Sequence, residues 1–391
     1  MRPLQLATLA VHAGDHPDPH TKALEPPVVL ASAYAFDSAD DAAAQFRGEV
    51  DGHIYTRWSN PTVRALEQKL AALEGAEASV AFASGMAAVA ASLESFLALG
   101  DHVVASGSLY AETARLMRER LPRFGIETTF VDSTDLAALR AAMRDRTRVV
   151  YVETPANPTL AISDLAALAE IAHASRAKLI VDGTFATPYH QRPLELGADV
   201  VLHSATKSIS GHGDTIGGVA SGAKDIVQTL RHTGVRTAGA PMAPLTAMLI
   251  ARGARTLCLR MERASGTAAW LAERLAGDPR IEVVHYPGLA SHPHHALAKK
   301  QMQRGFGAMI SFEVKGGLPA GKRAYDRLEL IARAVSLGDV RSLMTHPAST
   351  TSHSMPREDR LRAGITDGLM RMSVGIEDRE DLWGDLSAAL G

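Results

Sequence analysis

The sequence predicts an α/β protein in which a mostly parallel sheet lies between helices and is followed by a smaller α+β domain. Between about residues 61 and 220, short β-branched runs alternate with helical patterns, as is typical of a parallel sheet covered on both faces. After about residue 245 the pattern changes to a long helical stretch and fewer strands. A chain of 391 residues is large enough for more than one domain. We therefore expect an N-terminal segment (1–60), a large domain (61–245) and a small C-terminal domain (246–391).

The first sixty residues are rich in proline and have no clear periodicity, which predicts an arm that packs on something outside its own core. The first predicted helix follows this arm in "NPTVRALEQKLAALEG". Asn60 is the expected N-cap, Pro61 stands at the first helical position, and Gly75 ends the pattern.

Five short apolar runs predict the strands of the large domain, and most are followed by a helical pattern such as "SDLAALAEIAHAS". The five runs are "HVVAS", "ETTFVD", "RVVYVET", "KLIVDG" and "DVVLHS". In the small domain, "APLTAMLIARGARTLCLRMERASGTAAWLAERLAG" predicts a long helical stretch. Two strands, "GAMISFEV" and "LMRMSVGI", and a final helix, "EDREDLWGDLSAAL", are predicted after it.

Composition excludes several classes of function. The formal net charge is -2 with acids and bases evenly mixed, so neither nucleic acid nor an anionic membrane is an expected partner. The single cysteine, Cys258, rules out a disulfide framework and is expected to be a small buried residue on a helix. No run of about 18 apolar residues and no apolar secretion-signal core occurs, which predicts a cytoplasmic protein. The histidines of "SHPHHALAKK" lack helical metal-site spacing, so no metal is expected.

Two strand ends carry residues of opposite charge. "LIVDGTF" ends with Asp182, and "VVLHSATK" leads to Lys207 among small and hydroxylic residues. If the two strands are parallel neighbours, both side chains lie at the same edge of the sheet, where ligands of such sheets bind. A lysine amine reacts with an aldehyde and a carboxylate keeps a pyridine nitrogen protonated, so the pair suits pyridoxal phosphate (PLP). The alternative is a surface salt bridge between unrelated loops.

Further residues favour the cofactor over the salt bridge. In "FASGMAAV", a strand-like segment leads into a helix at Ser84, Gly85 and Met86, whose free N–H groups would face a phosphate. Ser204 and Thr206 would add hydroxyl donors. An isolated Ser-Gly at a helix start is by itself most often only a cap.

Two isolated residues suit a flat cofactor and an amino-acid substrate. Tyr110 in "GSLYAET" could place its ring on the cofactor, although a single tyrosine more often serves packing. Arg371 lies inside the apolar run "LMRMSVG", where an unpaired guanidinium is unfavourable. Its forked donors suit the carboxylate of an amino acid.

The sequence resembles the Cys/Met metabolism family of PLP-dependent enzymes over nearly its whole length. The resemblance rests on ordered motifs that include "VHAGD", "YTRWSNPTVRALE", "FASGMAA", "ETPANPT", "VDGTFATPYHQRPLELGADVVLHSATK", "GHGD", "SLGDVRSLMTHPAST" and "RMSVGIED". The family includes methionine γ-lyases, cystathionine γ-synthases and lyases, and homoserine-ester sulfhydrylases. It implies PLP fold type I, like that of aspartate aminotransferase, and a homotetramer built from dimers with shared active sites.

The resemblance also implies roles for residues of this chain. Lys207 would be the Schiff-base lysine and the base that moves protons, Asp182 would pair with the pyridine nitrogen, and Tyr110 would stack on the ring and protonate the leaving group. Phosphate binding would fall to Ser84, Gly85, Met86, Ser204 and Thr206, with Tyr55 and Arg57 from a neighbouring subunit. Asn157, Ser336 and Arg371 would orient substrate and cofactor.

Two segments help to indicate which activity within the family the protein has. Val335 precedes Ser336 where the cystathionine-handling branches resemble one another in having glutamate, which favours methionine γ-lyases or sulfhydrylases. Glu112 stands where the γ-lyases have cysteine, and Arg236 with Thr237 where they have a Lys-Asp pair. We therefore expect either a Glu112–Arg236 ion pair lining the pocket or a solvent-exposed Glu112 at a helix start.

The leading hypothesis is γ-elimination on a sulfur amino acid, as in methionine γ-lyase, giving 2-oxobutyrate, ammonia and a thiol. Replacement at the γ carbon of O-acetyl- or O-succinylhomoserine and the cystathionine γ-lyase or γ-synthase reactions remain alternatives. An unpaired Glu112 facing the pocket would favour cystathionine, because that substrate has a distal amine. A non-catalytic binding module is the third class, and the presence of Lys207, Asp182, Tyr110 and Arg371 together argues against it.

Overall fold

The computed structural model describes residues 3–391 and contains two β-sheets. The first sheet has seven strands in the order β1-β7-β6-β5-β4-β2-β3, and the second has five in the order β10-β11-β12-β9-β8. The strands are β1 Ala78–Phe82, β2 His102–Ser106, β3 Glu127–Val131, β4 Thr147–Glu153, β5 Lys178–Asp182, β6 Val200–Ser204, β7 Gly218–Gly222, β8 Ile281–His285, β9 Met309–Val314, β10 Ala332–Arg333, β11 Leu343–Thr345 and β12 Leu369–Ser373.

Fifteen α-helices occur in the described residues, 3–391, and they pack on the two sheets. They are α1 Leu6–His12, α2 Ala39–Arg47, α3 Pro61–Glu74, α4 Gly85–Phe96, α5 Ala111–Arg115, α6 Leu136–Ala142, α7 Leu165–Ala174, α8 Thr187–His190, α9 Lys224–Leu230, α10 Pro244–Ala254, α11 Leu257–Ala276, α12 His295–Gln301, α13 Gly317–Asp326, α14 Arg357–Arg362 and α15 Arg379–Leu390. None of these helices is both long and apolar enough to cross a bilayer.

The first sheet is parallel from β3 to β6, and only β7 runs antiparallel to its neighbours β6 and β1. All five strands predicted in this region are therefore confirmed. Strands β5 and β6 are parallel neighbours with Asp182 opposite Leu202, so their carboxyl ends meet at one edge of the sheet. Residues on both faces of these strands are buried, which is why the runs read as continuous apolar segments.

The helix predicted after Asn60 is confirmed together with both of its end signals. The Asn60 side chain accepts hydrogen bonds from the N–H groups of Thr62 and Val63 at the start of α3. Gly75 ends the helix in the left-handed region, with φ 69°, which glycine adopts without the steric penalty of a Cβ. Cys258 is buried on α11 as predicted.

The second sheet and its helices form the region after about residue 280, and α11 connects it to the first part of the chain. Both predicted strands are present as β9 and β12. The long helical stretch is divided into α10 and α11, because the Thr256 amide and hydroxyl both bond to the Gly253 carbonyl and close a tight turn. A continuous helix would instead extend through Arg255 and Thr256.

The N-terminal residues contain two helices that periodicity did not predict. Helix α1 packs on α3 and α11 of the same chain, and the buried Lys69 amine donates hydrogen bonds to the carbonyls of Ala10 and Val11. Asp15 forms an ion pair with Arg255. The beginning of this segment therefore lies on its own chain, whereas Leu24 and Leu30 farther along are exposed.

Candidate active site

Lys207 follows β6 and lies beside a residue from the second part of the chain. Its amine donates a 2.6 Å hydrogen bond to the Ser336 hydroxyl, across 129 residues of sequence. Burial, and then the charge of Arg371, lower the pKa of Lys207. The lysine is therefore more readily neutral, and hence more nucleophilic, than an exposed one.

Asp182 is the last residue of β5, on the strand next to β6. One of its carboxylate oxygens accepts the Thr184 N–H at 2.9 Å, and the Thr184 hydroxyl accepts the Ser204 N–H. This series of bonds connects the carboxylate to the segment that leads to Lys207. Burial raises the pKa of Asp182, so a cationic partner such as a protonated pyridine nitrogen would favour its ionised form.

Helix α4 begins at the same edge with a structure that suits an anion. Ser84 is its N-cap, and its hydroxyl accepts the Ala87 N–H, while helix geometry leaves the N–H groups of Gly85 and Met86 without intrahelical acceptors. A Cβ added at Gly85 would lie 2.9 Å from the Cβ of Ser204. One added at Gly218 would lie 2.1 Å from the Ser84 carbonyl oxygen. Only glycine allows these three segments to approach so closely.

Ser204 and Thr206 differ in their contacts. Ser204 lies against Gly85, where its hydroxyl adjoins the start of α4. The Thr206 hydroxyl is already engaged, because it donates to the Gly217 carbonyl at 3.2 Å and accepts the Gly217 N–H at 2.9 Å. Thr206 therefore ties the lysine segment to the start of β7 in addition to any contact with a phosphate.

Tyr110 precedes α5, and 48% of its surface is exposed. Its backbone N–H donates a 2.8 Å hydrogen bond to the carboxyl group of Glu153 at the end of β4. Burial and the charges of Glu112 and Glu153 raise the pKa of the Tyr110 phenol. The phenol is therefore protonated at neutral pH and can act as a proton donor.

Arg371 projects from β12 toward the first part of the chain. Its guanidinium donates to the Asn157 side-chain oxygen at 2.9 Å and to the Ser336 carbonyl at 3.0 Å. The side chain is buried, and burial lowers the pKa of Arg371 to about 10, still far above neutral pH. Its Nε has no partner in the described residues, so a donor remains for a carboxylate.

Some predicted residues are not brought to this cluster within one chain. The Arg57 guanidinium donates to the Arg236 carbonyl and lies 5.6 Å from the centre of the Tyr55 ring, and among residues 3–391 neither side chain bonds to Lys207 or Asp182. Val335 is 62% exposed.

The predicted Glu112–Arg236 ion pair is absent from the described chain. Arg236 lies over the Trp58 ring at 4.7 Å, and Glu112 is exposed in the first turn of α5. The prediction is therefore wrong for a single chain, and the alternative of an exposed Glu112 at a helix start describes what the chain contains. A cation over an aromatic ring is stabilised without a carboxylate.

Two residues of the cluster were not predicted from the sequence. Glu153 ends β4 opposite Asp182, and it could have been found because it is a carboxylate at the carboxyl end of a parallel strand. Thr345 accepts a 3.3 Å hydrogen bond from Arg371, and no sequence pattern distinguishes it from other threonines. The described residues contain no cluster of three His, Cys, Asp or Glu side chains suited to a metal ion.

The residues present fit PLP in three respects. A half-buried amine of lowered pKa could hold the aldehyde, and a carboxylate at the neighbouring strand end could hold the ring nitrogen. The glycine-lined start of α4 could hold a phosphate. The unpartnered Nε of buried Arg371 adds a group suited to the substrate carboxylate.

Comparison with known proteins agrees with this site. The chain is 48% identical over 385 residues to an L-methionine gamma-lyase from Pseudomonas putida, covering 98% of this chain and 96% of the relative. It is 47% identical over 390 residues to an O-succinylhomoserine sulfhydrylase from Pseudomonas aeruginosa, covering 98% and 94%. The crystal structure of metB from Corynebacterium glutamicum superposes with a TM-score of 0.93 at 40% identity, covering 99% and 98%. That similarity confirms the fold type I architecture.

The family profile described as "Cys/Met metabolism PLP-dependent enzyme" matches residues 7–391. This range includes every residue of the cluster around Lys207. The chain therefore belongs to the family of Cys/Met metabolism PLP-dependent enzymes, and its cofactor is pyridoxal phosphate.

Proposed function

We propose that the protein catalyses γ-elimination on a sulfur amino acid, with L-methionine and water giving 2-oxobutyrate, ammonia and methanethiol. The observation that carries the proposal is the Lys207 amine, held by Ser336 next to the Arg371 guanidinium. Such an arrangement presents a mobile base beside a carboxylate anchor, which suits the repeated proton transfers of this reaction. The similarity to the Pseudomonas putida enzyme supports the same choice.

PLP, when bound, supplies an electron sink for the bonds broken at the α and β carbons. Arg371 and Asn157 would hold the substrate carboxylate, and Asp182 would hold the ring nitrogen in its protonated form. Ser84, Gly85, Met86, Ser204 and Thr206 would bind the phosphate. These contacts would hold the substrate with its α and β hydrogens within reach of one base.

Lys207 would take the α proton and then a β proton. Its bond to Ser336 provides a resting position for the amine, and its lowered pKa allows the amine to be neutral there. Tyr110 would donate its phenolic proton to the sulfur as the Cγ–S bond breaks. Val335 would border the side-chain end of the pocket.

A second candidate is γ-replacement on O-acetyl- or O-succinylhomoserine. The exposed Glu112 near Tyr110 favours it, because the γ-lyase pattern has cysteine at that position. The similarity to the Pseudomonas aeruginosa sulfhydrylase is nearly as high as to the γ-lyase. The cystathionine γ-lyase and γ-synthase reactions remain further alternatives.

The experiment is an assay of the PLP-loaded protein with L-methionine and no added nucleophile. Release of 2-oxobutyrate and thiol in equal amounts is the expected result, and Lys207→Ala should release neither. A parallel assay with O-succinylhomoserine and sulfide tests the second candidate. Homocysteine formation there, with no 2-oxobutyrate from methionine, would overturn γ-elimination in favour of replacement.

We also propose a cytoplasmic homotetramer of dimers, in which residues 61–245 and 246–391 act as large and small domains and residues 1–60 contact a neighbour. Tyr55 and Arg57 would then complete the phosphate site of another subunit. Their exposure and their lack of contact with Lys207 in one chain support this proposal.

Mixed oligomers test the shared site. Arg57→Glu and Lys207→Ala are each expected to be inactive alone, whereas unfolding and refolding them together should recover up to about a quarter of the activity if sites lie between subunits. Recovery requires that one subunit supplies Arg57 and another Lys207. No recovery from a mixture shown to form mixed oligomers would place both residues in one chain's site.

A further inference from the structure

Glu153 is a buried carboxyl group with no basic partner in the described chain. It ends β4, is 7% exposed, and stands opposite Asp182 in the parallel register of β4 and β5. Its one described hydrogen bond is the 2.8 Å contact in which it accepts the Tyr110 N–H. Two carboxyl groups at adjacent strand ends repel each other when both are ionised, and a cationic ligand at this edge would relieve that repulsion.

The hydrogen bond to Glu153 holds the backbone of Tyr110, the residue from which the aromatic ring extends. Tyr110 is the N-cap of α5, has no side-chain cap bond, and adopts φ -52° and ψ 135°. Its carbonyl accepts the Ala114 N–H inside the helix, and its N–H is held by Glu153 from the sheet. The phenol has no hydrogen bond among the described residues, so the bond from the backbone N–H to Glu153 is what ties Tyr110 to the sheet.

Burial, and then the charge of Asp182, raise the pKa of Glu153 well above its ordinary range. Burial also raises the pKa of Asp182, so both adjacent carboxyl groups favour the neutral form more than exposed ones do, and a cation at this edge of the sheet would favour ionisation. A neutral carboxyl group still has an oxygen that accepts an N–H. The contact with Tyr110 can therefore form in either protonation state, and an amide in the same position can make it.

We propose that Glu153 is a positioning residue, whose carboxyl group holds the Tyr110 backbone so that the aromatic ring lies over the bound cofactor. It acts through Tyr110 and touches no reacting atom. A rigid contact of this kind matters because an error of about 1 Å in the placement of an active-site group can lower a rate about 100-fold. The inference rests on the proposed function only for its kinetic readout, because the cofactor's optical signal needs no substrate.

The test compares Glu153→Ala and Glu153→Gln in the PLP-loaded protein. The alanine variant is expected to weaken the visible circular dichroism of bound PLP at least twofold and to lower kcat about 10-fold with KM changed less than about threefold. The glutamine variant should keep most of both signals, since its amide oxygen can accept the Tyr110 N–H. Glu153→Asp retracts the carboxyl group by one methylene and should resemble alanine, which keeps the test available if alanine does not fold.

Asp385 supplies a matched control outside the site. Its carboxylate accepts the N–H groups of Glu329 and Ile331, each at 2.8 Å, so Asp385→Ala also removes a carboxyl acceptor from the backbone. It is expected to lower the melting temperature without changing the dichroism of PLP. Unchanged dichroism and kcat in folded Glu153→Ala or Glu153→Asp would overturn the proposal, as would a glutamine variant as impaired as the alanine variant. If the wild-type protein shows no lyase activity, the proposed function is overturned, but the circular dichroism test of Glu153 can still be made.

Discussion

Replacing Arg371 by methionine is expected to remove substrate binding while leaving the fold about as stable as before. Arg371 is 8% exposed and has no carboxylate partner in the described residues, so its charge is buried without compensation. Its pKa of about 10 lies below the ordinary value of 12.5, which corresponds to about 3 kcal/mol against the charged form in the folded protein. Because the side chain is still charged at pH 7, the folded state bears this penalty throughout the physiological range.

Methionine removes that penalty together with the bonds to Asn157, Ser336 and Thr345. Each such bond contributes about 1 kcal/mol, so gain and loss nearly cancel and the free energy of unfolding should change by less than about 1 kcal/mol. For substrate binding, no gain offsets the loss of the guanidinium. Loss of a buried, charge-assisted bond to the substrate carboxylate should lower kcat/KM about 100-fold or more.

The assay is thermal unfolding at fixed protein concentration, with and without glycine as a carboxylate ligand that has no leaving group. Glycine should raise the melting temperature of the wild-type protein and not that of Arg371→Met. Arg360→Met is the matched control, because Arg360 is equally buried but paired with Asp367 at 2.5 Å. Its loss leaves Asp367 with Arg357 as its remaining arginine partner and the Ile365 carbonyl without its donor, and should destabilise the protein by about 2 kcal/mol. Equal destabilisation by the two substitutions, or an unchanged kcat/KM in Arg371→Met, would refute the reasoning.

Three further predictions concern single positions. Ser336 has φ 95°, so Ser336→Gly should be more stable than Ser336→Ala by about 1 kcal/mol although both lose the bond to Lys207, as thermal unfolding would detect. Gly218→Ala should weaken PLP binding at least about 10-fold in a spectroscopic titration, because the added Cβ meets the Ser84 carbonyl, whereas Gly384→Ala in the open face of α15 should not. Glu74→Ala should destabilise the protein by about 3 kcal/mol, because it leaves buried His203 without its 2.5 Å partner; a change under 1 kcal/mol in the melting analysis would contradict this.

Local signals in the sequence are enough to predict most helices and strands and to place part of the candidate active site. The helix after Asn60 has a cap, a proline and a terminal glycine within sixteen residues, so no distant contact was needed to predict it. Asp182 and Lys207 could be placed at one edge because parallel strands in such sheets present their carboxyl ends together. The two helices before Gly48 were missed because their short lengths give little periodicity.

Contacts between distant segments could not be predicted in this way. Tyr110 and Glu153 are 43 residues apart, and Arg371 and Asn157 are 214 residues apart. Each pair meets because of the path of the whole chain, and although Arg371 and Glu153 stand out in their own segments, nothing local identifies the residue that each of them contacts. Ser336 reaches Lys207 through a backbone in the left-handed region, which serine rarely adopts and which sequence propensity argues against.

The predicted Glu112–Arg236 pair shows a second reason why sequence alone cannot predict contacts. A residue that matches a family motif can contribute to the active site of its own subunit or to that of a neighbouring subunit, and the motif does not distinguish the two. Arg57 bonds to the Arg236 carbonyl, and Arg236 lies over Trp58, so these residues form one exposed unit. If Arg57 completes the phosphate site of a neighbouring subunit, Arg236 lies beside that neighbour's site, and the Glu112 that it would then approach is the neighbour's and not its own. The mixed-oligomer experiment with Arg236→Glu in place of Arg57→Glu would decide whether Arg236 serves the site of its own chain or that of its neighbour.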